Sequence, residues 1–206
     1  MGSVKIKLCG ITSVADALLC VDAGADAIGL NFHARSPRCV SVDAARAIAA
    51  SVKSRALIVG VFVDASFETI TDVSREVGLE CVQLHGDEPP ELLARFLPHA
   101  YKAVRVRDQG SIALARRYGG DHVLLDAFVP GEPGGTGRTF AWELATELAR
   151  ERRVTLAGGL VPGNVAAAIA AVRPYAVDVA SGVERAPGVK DEALVHAFVA
   201  AVRQAG

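Results

Sequence analysis

The chain has 206 residues, 51% of them hydrophobic, which is enough to bury one large core. Its 22 basic residues offset 23 acidic ones and its pI is near 6.5, with no charge run or low-complexity tract. This balance excludes the electrostatic footprint of a nucleic-acid or anionic-membrane binder and points to a small-molecule partner.

The opening Met1-Gly-Ser-Val-Lys lacks the apolar core of a secretory signal, and no apolar run reaches the ~18 residues of a membrane span, so a soluble cytoplasmic protein is expected. From there, short apolar or β-branched runs alternate with stretches of helical period. Strands are predicted at 4–9, 26–31, 56–63, 80–84, 100–106, 122–126, 153–157 and 176–180. Helices are predicted at 13–23, 42–53, 66–77, 90–97, 110–118, 141–151, 162–172 and 190–204. Ser13 with Asp16 reads as a capping box, Ser41 as an N-cap, and Gly24 and Gly78 as helix-ending glycines. Eight such repeats predict an α/β fold, a single-domain (β/α)8 TIM barrel with parallel strands over residues 1–206. An open doubly wound sheet competes, but the count of eight favours the barrel. Cys9-Gly-Ile-Thr12 also stands where a dinucleotide-binding GxGxxG would follow the first strand.

Two of these strand ends carry reactive groups. Cys9 closes the first strand before an abrupt glycine, and Asp126 closes the sixth, which suggests an acid and base pair. The four cysteines, Cys9, Cys20, Cys39 and Cys81, have neither CxxC nor metal spacing, so no disulfide framework or metal site is expected. Cys20 and Cys81 read as small hydrophobes. For Cys9 alone, inert packing is the commoner fate of a strand thiol.

Glycine-bearing turns follow the last two strands, in Leu156-Ala-Gly-Gly-Leu160 and Ala180-Ser-Gly-Val-Glu184. The corresponding loops of such barrels bind phosphate through exposed amides, which makes Gly158, Gly159, Ser181 and Gly182 the phosphate-binding candidates. The alternative is that these glycines only permit tight turns. Strand alternation puts Lys7 on the face of Cys9, within reach of Asp178 across the seam between last and first strands, where its charge should favour a thiolate.

Six motifs occur in order: Lys7-Leu-Cys-Gly-Ile-Thr12, Gln83-Leu-His-Gly86, Leu125-Asp126, Gly134-Gly-Thr-Gly137, Ala157-Gly-Gly-Leu160 and Val177-Asp-Val-Ala-Ser-Gly-Val-Glu184. Together they closely resemble phosphoribosylanthranilate isomerase of tryptophan biosynthesis, from Val4 to about Phe198. The resemblance implies an Amadori rearrangement of N-(5-phosphoribosyl)anthranilate to 1-(2-carboxyphenylamino)-1-deoxyribulose 5-phosphate, with no metal or organic cofactor. It makes Asp126 the general acid, protonated at the outset, and Cys9 the general base. Arg38, in His33-Ala-Arg-Ser-Pro-Arg38, becomes the ligand of the anthranilate carboxylate, with Arg35 a solvated neighbour. Gln83 and His85 become substrate-positioning groups on one interior face, with Asp178 as interior support for the site. Gly135, Thr136 and Gly137 belong to a long segment, Ala127–Thr139, that reads either as a lid over a phosphorylated small-molecule substrate, with these three adding amides near its phosphate, or as a mobile surface loop. Assembly stays open between monomer and homodimer. The rivals are a histidine-pathway ribonucleotide isomerase, which typically uses two carboxylates, and a silent sugar-phosphate-binding barrel.

Overall fold

Strand β1 (Lys5–Cys9) separates two surfaces by simple alternation. Ile6 and Leu8 are fully buried in a core shared with the helix residues Ala17 and Cys20, whereas Lys7 and Cys9 turn to the opposite face. The same period organises β2 (Ala27–Asn31), β3 (Leu57–Phe62), β4 (Cys81–Leu84), β5 (Ala100–Arg105), β6 (His122–Asp126), β7 (Arg153–Ala157) and β8 (Ala176–Val179). Each strand pairs in parallel with the next and β8 returns to β1, so the sheet closes into an eight-stranded barrel. A computed structural model describes residues 3–126 and 139–206. The candidates Gly135, Thr136 and Gly137 lie outside the described residues, as does the proposed lid apart from Thr139.

The helices are α1 (Val14–Asp22), α2 (Val42–Val52), α3 (Phe67–Val77), α4 (Pro90–Ala94), α5 (Gln109–Arg117), α6 (Thr139–Ala149), α7 (Val165–Val172) and α8 (Glu192–Ala205). Each follows a strand, as the sequence predicts. Ser41 caps α2 by accepting from the Ala44 amide at 3.2 Å, and Gly78 ends α3 in the left-handed region at φ 76°. The capping box at α1 is only half made. Ser13 accepts from Asp16 N at 3.1 Å, but the Asp16 carboxylate accepts from the Lys190 amide at 3.3 Å instead of turning back to Ser13.

Two departures from the predicted elements have local causes. Helix α4 stops at Ala94 and not at 97, because Pro98 disfavours helical geometry at the residue before it. After β8 the chain makes a 3-10 turn, Ser181–Val183, and a short antiparallel hairpin of β9 (Glu184–Ala186) and β10 (Val189–Lys190). Asp191 then caps α8 by accepting from Leu194 N at 3.0 Å. Among the described residues no helix is long and apolar enough to cross a membrane.

The barrel interior is mixed in character. An apolar cluster of Val59, Tyr101, Ala103, Leu124 and Ala157 sits among buried Lys7, Gln83, Thr155 and Asp178. Burying such groups is costly unless they are paired, and here each makes a hydrogen bond, with Asp178 Oδ1 alone among their buried side-chain atoms left without a partner among the described residues. Lys7 Nζ meets Asp178 Oδ2 at 2.8 Å across the β1–β8 seam, where the two residues are register partners, as the sequence predicts. Tyr101 donates to Gln83 Oε1 at 2.9 Å, and His122 Nε2 lies 2.7 Å from Thr155 Oγ1.

Burial, against the pull of Asp121, lowers His122 to about 4. The unfolded chain therefore takes up this proton below about pH 6.5 while the folded chain does not until about pH 4. Stability should fall as pH drops through that window, by on the order of 3 kcal/mol over its full span. Denaturant melts at pH 7 and pH 5 should show a smaller acid loss in His122→Gln than in wild type. Equal losses would remove His122 as the cause.

Candidate active site

Cys9 reaches the mouth of the barrel because β1 ends there and because its partner across the β1–β2 pairing is Gly29. A Cβ at Gly29 would stand 2.6 Å from Cys9 Sγ and 3.1 Å from Lys7 Nζ, so the missing side chain is what lets thiol and ammonium share the space. Burial pushes the Cys9 thiol up, Lys7 pulls it down, and Asp178 adds to the rise. The net direction is upward: Lys7 acts on the thiol in the expected sense, but burial outweighs it. Burial also opposes the Lys7 charge, but Asp178, helped by Cys9 and Tyr101, holds its ammonium well above the ordinary range. Lys7 is therefore a permanent cation beside a thiol that burial disfavours as an anion.

A direct consequence can be measured by alkylation. Cys9 should react with iodoacetamide along a pH curve whose inflection lies above that of an ordinary thiol at ~8.5. Lys7→Met should move it higher, since one lowering influence is lost and Asp178 remains. Peptide mass analysis separates Cys9 from Cys20 and Cys81, which burial raises to about 12 and about 11, and from exposed Cys39. A curve unchanged by Lys7→Met would show that the ammonium does not act on the sulfur.

A cavity of about 280 Å³ opens at this end of the barrel. Each sequence-predicted site residue among the described residues lines it: Cys9, Arg38, Gln83, His85, Asp126, Gly158, Gly159, Asp178, Ser181 and Gly182. Asp126 ends β6 and faces His85, whose Nε2 lies 3.7 Å from Asp126 Oδ2. His85 is held in turn by Gln83, with Nε2 of the amide 2.9 Å from the imidazole Nδ1. The turn after β4 is fixed from below by buried Lys102, which donates to Gly86 O at 2.5 Å and to Glu88 Oε2 at 2.9 Å.

The two glycine turns meet at the side of the cavity. Gly158 and Gly159 both have positive φ, 90° and 62°, so the chain after β7 takes a path other residues adopt only with strain. A Cβ at Gly182 would lie 1.9 Å from Leu160 O, so only glycine allows the two turns to pack together. Asn164 accepts from Val161 N at 2.8 Å and donates to Gly159 O at 2.9 Å, closing the first turn just before α7.

Two residues that the sequence did not single out as site residues hold Arg38 in place. Glu184, at the start of β9, accepts from Arg38 Nε at 2.9 and 3.1 Å and from Nη2 at 2.6 Å. Lys190, with its side chain 0% exposed, donates to Glu184 Oε1 at 3.0 Å, Cys9 O at 2.6 Å and Ala180 O at 3.2 Å. Burial works against the Glu184 charge, but Arg38 and Lys190 outweigh it and keep the carboxyl below the usual carboxylate range. The Nε and Nη2 edge of the guanidinium is thus occupied, and Nη1 makes no hydrogen bond among the described residues. Glu184 sits inside a quoted motif, yet only the hairpin after β8 turns it towards Arg38. No sequence signal marks Lys190. Arg35 is exposed, as expected for a solvated neighbour.

Among the described residues no three His, Cys, Asp or Glu side chains cluster as a metal ion would need. What the cavity offers is a thiol, a carboxyl, a half-free guanidinium and two glycine turns, a set suited to proton transfer on a ligand carrying two anionic groups.

Comparison with known proteins agrees. The model of the N-(5'-phosphoribosyl)anthranilate isomerase family matches residues 6–201. The N-(5'-phosphoribosyl)anthranilate isomerase of Pelobacter propionicus is 45% identical over 95% of this chain and 94% of its own, and that of Pseudomonas putida 47% over the whole of both. The crystal structure of phosphoribosylanthranilate isomerase from Thermotoga maritima is 41% identical, covers 98% of this chain and 99% of its own, and superposes with a TM-score of 0.89. A further isomerase structure, in complex with reduced 1-(o-carboxyphenylamino)-1-deoxyribulose 5-phosphate, is 39% identical over 98% of this chain and 99% of its own, with a TM-score of 0.86. The chain belongs to the phosphoribosylanthranilate isomerase family.

Proposed function

We propose that this protein converts N-(5'-phosphoribosyl)anthranilate into 1-(2-carboxyphenylamino)-1-deoxyribulose 5-phosphate, an aldose–ketose isomerisation of tryptophan biosynthesis, with Asp126 as general acid and Cys9 as general base. The observation that carries the assignment of roles is the single cavity on which thiol, carboxyl, guanidinium and phosphate turns converge. The substrate's phosphate seats at Gly158, Gly159, Ser181 and Gly182, and its anthranilate carboxylate takes the Nη1 side of Arg38. These two anchors set the ribose between Asp126 and Cys9.

In the first step Asp126 gives its proton to the ring oxygen as the C1–O bond breaks, leaving a protonated imine at C1 and a hydroxyl on the sugar. The Cys9 thiolate then takes the proton from C2, and the electrons of that C–H bond form the C1–C2 double bond of a neutral enolamine. Proton transfer to C1, with loss of the enol proton, yields the ketone. Asp178 lies against Lys7 below the thiol and Gln83 below His85, and both bound the floor on which the sugar rests.

A cytoplasmic location goes with this reading, since a catalytic thiol needs a reducing compartment to stay free. For assembly we propose a monomer or homodimer, as one solved relative is described as monomers generated from the dimeric Thermotoga maritima enzyme. The direct test is to generate phosphoribosylanthranilate in situ and follow the loss of its fluorescence. Folded protein that leaves the signal at background would overturn the assignment.

A further inference from the structure

Tyr101 lies in the middle of the barrel, 3% exposed, and its register partner on β4 is Gln83, 1% exposed. Its ring packs against His122 with centroids 4.3 Å apart and planes tilted by 37°, and its hydroxyl donates to Gln83 Oε1 at 2.9 Å. A buried carboxamide held this way has a fixed sense. With its oxygen facing the phenol, its NH2 group must face His85 Nδ1, 2.9 Å away. An amide nitrogen only donates, so Nδ1 must accept, and the proton of a neutral imidazole then resides on Nε2. Nε2 is the atom that faces Asp126 Oδ2 at 3.7 Å.

The direction of the phenol hydrogen decides this chain of donors, because a reversed amide would bond equally well to a hydroxyl that accepts. Two features set it. The positive charge of Lys7 acts on the phenol oxygen more strongly than the opposing charge of Asp178, which favours lone pairs on the ammonium side and leaves the hydrogen to Gln83 Oε1, 2.9 Å away. Burial also holds the phenol well above its ordinary range, so the hydroxyl keeps its hydrogen at every working pH.

We propose that Tyr101 and Gln83 are positioning residues that hold His85 as its Nε2–H tautomer, so that the imidazole donates to the Asp126 carboxylate formed when that acid protonates the sugar ring oxygen. The charge left on Asp126 is met by a donor already in place, at a separation that tightens as the carboxylate forms. The part played by Asp126 rests on the isomerase reading above. The tautomer does not.

The test uses the full chain with 15N-labelled histidine and two variants. Tyr101→Phe keeps the ring against His122 and removes only the hydroxyl. Gln83→Glu replaces the amide donor with a carboxylate that accepts from Nδ1–H, which reverses the tautomer. In wild type, 15N–1H correlation spectra should show His85 protonated at Nε2. Tyr101→Phe should give a mixture of tautomers and lower kcat about 3–10-fold, and Gln83→Glu should give the Nδ1–H form and lower kcat about 10–100-fold, each with KM within about twofold. Wild-type His85 protonated at Nδ1 would overturn the proposal, and so would wild-type kcat in a Gln83→Glu protein whose tautomer has reversed. A wild-type protein inactive on phosphoribosylanthranilate but showing the Nε2–H spectrum would instead sink the isomerase reading and leave the tautomer assignment standing. The wild-type spectrum decides that assignment even if a variant fails to fold.

Discussion

Cys9→Ala and Asp126→Ala should each lower kcat by about 10²–10⁴-fold with little change in substrate affinity, since a positioned proton-transfer group contributes that much and neither side chain is one of the two anchors. The circular dichroism and thermal midpoint of Cys9→Ala should stay close to wild type, because the half-buried sulfur packs into the space left by Gly29 and does not hold the core. The two losses should not multiply. Once the acid is gone the ring does not open, and the C2 proton never becomes acidic enough for the thiolate to matter, so the double variant should be little slower than the worse single one. Fluorescence turnover of the two singles and the double variant checks all three statements. Near-normal turnover in either single variant would remove that residue from the mechanism, and multiplicative losses would show that acid and base act independently. The raised thiol adds a second signature. The ascending limb of kcat/KM in wild type should go on rising past neutrality, because burial leaves less thiolate in the free enzyme than an ordinary cysteine would have.

Much of this was legible in the chain. Short apolar or β-branched runs closed by glycine or a polar turn place strands within a residue or two, because in a barrel each strand buries both faces and reads as a near-continuous apolar run. Cys9, Asp126 and Asp178 could be assigned to strand ends and interior faces for the same reason, and the Lys7–Asp178 pair follows from closure of the seam. Local chemistry was less visible where partners come from far away in sequence. Glu184 reaches Arg38 across 146 positions and Lys190 reaches the carbonyl of Cys9 across 181, both because of a two-strand hairpin too short to leave a pattern. The net direction of the Cys9 shift was not legible, because sequence shows the charge of Lys7 but not the burial that outweighs it.

Those distant partners carry the other large effect. Glu184→Ala removes the carboxylate shared by Arg38 and Lys190, whose own side chains are 23% and 0% exposed. Lys190 would keep the carbonyls of Cys9 and Ala180 but lose the only opposite charge bonded to it among the described residues, and an uncompensated buried ammonium typically costs about 3–5 kcal/mol. Arg38 would lose the contacts that fix its Nε edge and swing among rotamers, so KM should rise about 10-fold or more. Arg38→Met provides the control. It leaves Glu184 and Lys190 paired, so it should weaken binding of the anthranilate end at a much smaller stability loss than Glu184→Ala. Chemical denaturation and KM measured on the two variants separate anchoring from stability. If Glu184→Ala is within about 1 kcal/mol of wild type, Lys190 has found another counter-charge and the buried triad is not what holds this side of the mouth. If its KM is unchanged while stability falls, Arg38 does not need Glu184 to be poised, and the fork must be held by the path of its own side chain over Gly10, whose absent Cβ would stand 2.5 Å from Arg38 Cδ.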